Sequence, residues 1–144
     1  MDVREAVPGA AVGLAAGVVA GGLAALVGQP FSWALVTMCA LGVPLALLGG
    51  GLGVLMASGR LPRGRFAPVA LFWLVGFPLA RLVHEISVSL VLTGQVRLPA
   101  DLAGFLAYQG LVSLGWAIGF LWLHERIALR MRTRAAPVAA TTSR

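Results

Sequence analysis

Residues 31–57 read FSWALVTMCALGVPLALLGGGLGVLMA, a run without a single charged side chain. About 20 helical residues cross the ~30 Å hydrocarbon core of a bilayer, and this run is longer than that. Apolar residues occupy successive positions with no two-residue alternation, which excludes a barrel strand. Working outward, the same texture recurs over about 7–27, 66–91 and 102–123. The connections are Gln29-Pro30, Ser58–Arg65 and Thr93–Asp101, short enough to force antiparallel neighbours. The expectation is an all-α integral membrane protein, a four-helix antiparallel bundle over residues 1–134, with residues 135–144 as a loose polar tail.

The bulk numbers agree with that reading. Of the 144 residues, 59% are hydrophobic and 11% charged, less than half the charge of a soluble domain, and the mean hydropathy is +0.92. A soluble fold, disorder and a disulfide scaffold are excluded, since the single Cys39 lies inside an apolar run. The net charge is +6 and every basic residue is arginine, which with abundant Ala, Gly and Val fits a GC-rich bacterial genome. These arginines flank apolar runs instead of forming a solvated face, so nucleic acid is not an expected partner.

Arginine placement also gives an orientation. The second connection carries Arg60, Arg63 and Arg65, and the C-terminal segment carries Arg126, Arg130, Arg132 and Arg134. The first connection has no charge, and the third sets Arg97 against Asp101. The positive-inside rule then puts both termini and the second connection in the cytoplasm, as in a multi-pass protein of the inner (plasma) membrane. The leading MDVRE holds two acids against one arginine and no good cleavage site follows, so the first span is expected to be retained.

Two patterns speak of helix packing. Gly9, Gly13, Gly17 and Gly21 recur every four residues, a flat ridge for close backbone approach either within the fold or between copies. Gly115 and Gly119 repeat the pattern more weakly. Pro44 with GGGLG at 49–53 reads as a kink or a close contact, because nothing ionisable accompanies it. Arg126, Arg130 and Arg134 form an i, i+4, i+8 stripe beside the inner leaflet, where setting topology is role enough.

The third span contains ARLVHEISVS, with Arg81, His84, Glu85 and Ser89 inside a wedge of about 140° on one helix face. A charge alone at a helix centre costs about 2.5–3.5 kcal/mol on insertion scales, so this face is expected to look toward protein or water. By helical rise Glu85 lies about 9 Å and Arg81 about 15 Å inside the outer end of the span, and Gln109 reaches about 12 Å from the other side. Thr37 and Tyr108 come to a similar level. A cluster of Thr37, Arg81, His84, Glu85, Ser89, Tyr108 and Gln109 is therefore expected in the outer half. Below it Ser113 is almost the sole polar residue, which argues against a conducting path through one copy.

Enzymatic chemistry is not expected. His84-Glu85 and His124-Glu125 each begin a zinc-protease motif that lacks its second histidine. The two histidines lie at different depths and cannot share a haem, and Ser87 and Ser89 sit too close along one helix for a triad. No catalytic residue, metal or cofactor is assigned. The leading expectation is a non-enzymatic accessory or assembly subunit, partnered by the bilayer and by a membrane protein or further copies of itself. The alternatives are a small homo-oligomeric, proton-linked transporter or channel, and a binder of an amphiphile such as a lipid or quinone.

Overall fold

The computed structural model describes residues 3–139, with side chains described for residues 4–131. A short 3-10 turn, Val3–Glu5, precedes four helices: α1 (Val7–Leu26), α2 (Phe31–Ala57), α3 (Phe66–Thr93) and α4 (Leu102–Ala139). All four are long and apolar enough to cross a membrane. In a chain this short they indicate a small multi-pass membrane protein.

Local sequence sets the ends. Pro8 stands in the first turn of α1, where its missing N–H leaves no bond unmade. Gly28, at φ +83°, lets the chain reverse after α1, and the Pro30 carbonyl accepts the first amide bonds of α2. Gly94, at φ +70°, ends α3 and donates its N–H to the Leu90 carbonyl. The Asp101 carboxylate accepts the Gly104 amide at 2.9 Å, capping α4. Beyond the apolar part of α4 the helix continues to Ala139, which takes in the first part of the tail expected from residue 135, and residues 140–144 lie outside the described residues.

Hydrophobic burial does not drive helix pairing inside lipid; close van der Waals contact does. The α1 glycines supply it. A methyl group on Gly9 would overlap the Gly49 carbonyl, and one on Gly13 the Leu45 and Ala46 backbone. On Gly17 it would meet Gly42 and Met38, and on Gly21 Ala34 and Met38. Rising numbers on α1 thus meet falling numbers on α2, so this pair is antiparallel. The GGGLG segment belongs to the same contact, with Gly53 under the Glu5 carbonyl, and α2 runs unbroken through Pro44.

The second pair is held by aromatic rings. Trp73 of α3 meets Trp116 edge-on at 5.4 Å and Phe120 at 4.9 Å, while Phe77 meets Trp116 at 5.7 Å. This pairing, 73 with 120 and 77 with 116, again runs antiparallel. Trp73, Phe120, Leu45 and Leu52 are fully buried and form the core shared by α2, α3 and α4. Outward faces carry Leu23, Phe31, Leu47, Leu71, Leu111 and Ile118, all well exposed, as lipid contact requires.

Gly115 and Gly119 do not join the packing. Nothing lies within 4 Å of a side chain added at either. The aromatic seam of Trp116 and Phe120 turns these glycines away from the protein.

Candidate functional site

The third helix brings three of its polar residues together. Arg81 Nη2 donates to Glu85 Oε1 at 2.7 Å, the i,i+4 geometry of one helix turn. Arg81 Nη1 lies 2.8 Å from His84 Nδ1. A guanidinium can only donate, so in this contact Nδ1 is the acceptor. Glu85 Oε1 lies 3.6 Å from the same Nδ1. His84 Nε2 is buried without a partner among the described residues.

Burial is uneven across the three. The His84 side chain is 11% exposed, whereas the Arg81 and Glu85 side chains retain 22% and 38% of their surface. Glu85 uses only Oε1 for its bonds. The carboxylate borders a cavity of about 330 Å³ where α3 gives way to the third connection, with Ser89, Arg97, Leu98, Pro99 and Phe105. The loop residues were not anticipated, since nothing in the sequence says how the third connection folds back. Arg97 is fixed there by Gln95, whose Oε1 accepts its Nε at 3.1 Å and its Nη2 at 2.7 Å.

The remaining members of the expected outer cluster stand apart. The Ser89 hydroxyl donates to the Gln95 carbonyl at 2.7 Å, tying helix to loop instead of joining Arg81. Gln109 is buried, but no hydrogen bond links it to Arg81, His84 or Glu85 among the described residues. Tyr108 is 64% exposed on the outside of α4. Successive residues differ by 100° around a helix, so burying Gln109 turns Tyr108 outward. Thr37 is half-buried on α2 and makes no side-chain hydrogen bond among the described residues.

Toward the other end of the helices the wedge is followed by Phe77, Trp73, Trp116 and Phe120, and the Phe120 ring stacks on His124. Ser113, fully buried in this stretch, satisfies itself on the Gly110 carbonyl at 2.6 Å. The aromatic seam thus interrupts the polar groups along α3 and α4.

A second cavity, of about 290 Å³, lies past the seam near the arginine-bearing connection. Its polar lining comprises Glu5, Arg63, His124 and Glu125; Pro8, Met56 and Leu121 form an apolar floor. Arg63 approaches Glu5 at 3.6 Å, with both side chains about half exposed. Sequence reasoning did not single out this group, although Glu5, Arg63 and Glu125 all fall just outside spans at the same end. Of the basic stripe, Arg126 lies over the Trp122 ring at 4.7 Å. Arg130 has an interaction partner, and the Arg134 side chain lies outside the described residues. Among the described residues no group of three His, Cys, Asp or Glu side chains could hold a metal ion.

Protein-family models, curated proteins and solved structures yield no match to this chain.

Proposed function

We propose that this chain is a non-enzymatic accessory or assembly subunit of the cell membrane. It is a four-helix antiparallel bundle with both termini cytoplasmic, in which the Arg81–His84–Glu85 wedge fixes the outer half of the third span. The observation that carries the reading is the aromatic seam of Phe77, Trp73, Trp116 and Phe120. A relay or pore needs polar groups or water along its whole length, and the seam offers only the Trp73 and Trp116 indole N–H groups and Ser113, none of them ionisable. A charge pair partly uncovered within a span calls for water or another protein's polar group on its open side, and a subunit interface supplies one. The open face of α4 around Gly115 and Gly119 is where a helix of that partner comes close.

The outer cavity favours a second reading, capture of an amphiphile beside Glu85. Reconstitution of wild type and Glu85→Gln in liposomes separates these readings from transport. The assembly reading predicts no solute or proton flux from either protein, and weaker complex formation by the variant. Flux by purified wild type that the variant loses would overturn it.

A further inference from the structure

The cavity at the arginine-bearing end has chemistry that the assembly reading does not use. It lies at the level where spans end: Glu5 stands two residues before α1, Arg63 in the connection before α3, and Glu125 where α4 leaves its apolar stretch. Its floor is apolar, from Pro8, Met56 and Leu121, and so is Leu129 beside them. An apolar floor under a charged rim at this depth matches a molecule that is itself apolar at one end and charged at the other.

The rim charges narrow the class. Two carboxylates face a purely anionic headgroup unfavourably, and Arg63 does the same to a purely cationic one. A group bearing both a phosphate and an ammonium suits the set. The 3.6 Å approach of Arg63 to Glu5 is longer than a hydrogen bond, so the guanidinium keeps donors for a phosphate. Glu125 has no hydrogen-bond or ion-pair partner among the described residues, and its carboxylate can accept from N–H groups. The His124 Nε2, buried and without a hydrogen-bond partner among the described residues, belongs to a residue of the same lining and is open to a further polar atom below the headgroup.

We propose that this cavity binds the headgroup of a zwitterionic aminophospholipid, a phosphate on Arg63 and a primary ammonium on Glu125, with its chains left in the bilayer beside Leu121 and Leu129. At about 290 Å³ the cavity suits a headgroup and not a whole lipid. A quaternary ammonium has no N–H to give Glu125, so phosphatidylcholine is disfavoured although its charges are the same. The proposal requires only that the chain sits in a membrane, and it holds whether or not the protein assembles with a partner.

The test is lipid retention by the full chain, measured by native mass spectrometry after exchange into an equimolar mixture of phosphatidylethanolamine, phosphatidylcholine and phosphatidylglycerol with identical chains. One phosphatidylethanolamine per chain is expected, preferred over phosphatidylcholine by about tenfold, the value of one charge-assisted hydrogen bond. Glu125→Gln should bring that ratio close to one, and Arg63→Gln should lower retention of both lipids. Equal retention of the two zwitterionic lipids by wild type would overturn the proposal. So would a preference for phosphatidylglycerol that Glu125→Gln leaves unchanged, because general attraction to arginines explains that result. Soluble phosphoethanolamine should fail to displace the bound lipid at matched concentration; displacement would refute a lipid occupant.

Discussion

Replacing Gly17 by alanine tests the α1–α2 contact against a control one helix face away. The added Cβ would lie 2.5 Å from the Met38 carbonyl oxygen and 2.8 Å from the Gly42 amide nitrogen, and still closer to the Gly42 Cα. Ordinary contact starts at 3.4 Å, so relieving the tightest of these contacts parts the helices by about 1 Å. Displacement on that scale forfeits roughly a quarter to a half of each dispersion contact along the seam. The expected loss is about 1–3 kcal/mol, typical of an overpacked core. Gly22 has nothing within 4 Å, so Gly22→Ala makes the same chemical change toward lipid. It should be neutral, or stabilising by up to about 1 kcal/mol through helix propensity. Unfolding by sodium dodecyl sulfate in mild detergent, followed by circular dichroism, reads both. Equal stability of Gly17→Ala and Gly22→Ala would refute the backbone-contact reasoning.

Other perturbations probe the rest of the structure. A double-mutant cycle with Arg81→Met and Glu85→Met should return a favourable coupling on the order of 1 kcal/mol, held to that size by the partial exposure of Glu85. Asp101→Ala removes the cap on Gly104 and should lower stability by about 1 kcal/mol in the same assay. Gly94→Ala places a Cβ on a residue at φ +70° and should cost about 1–2 kcal/mol even though the site is open. In a Cys39→Ser background, Gln95→Cys should react with an impermeant maleimide in intact cells, and Ser58→Cys only after permeabilisation. The reverse pattern would invert the orientation.

What the sequence disclosed follows from which physical signals survive in lipid. Span ends were legible from where the apolar runs stop, and Gly94, Pro30 and Asp101 fix them there through local backbone chemistry that is the same in any solvent. The α1 ridge was legible as a contact, but its partner was not: Pro44 with GGGLG at 49–53 read as a kink or a close contact of no particular helix, and Gly42 carried no signal. Helix rotation was the harder quantity. In a soluble helix the apolar stripe marks the inward face, whereas here Leu, Val and Ala cover every face of α4. Nothing therefore distinguished Gln109 from Tyr108, or told that Gly115 and Gly119 point outward. The Arg81–Glu85 pair was visible because its i,i+4 spacing lies within one helix. The groups at the arginine-bearing cavity come from three separate segments, and only tertiary packing assembles them.

Assembly is tested most directly by the mass of the particle that carries this chain when native membranes are extracted into polymer-bounded nanodiscs. A complex with a second polypeptide, or a fixed number of copies, is the predicted result, with Gly115→Leu and Glu85→Gln each reducing its yield. A particle holding one 14.9 kDa chain and lipid alone would contradict the account.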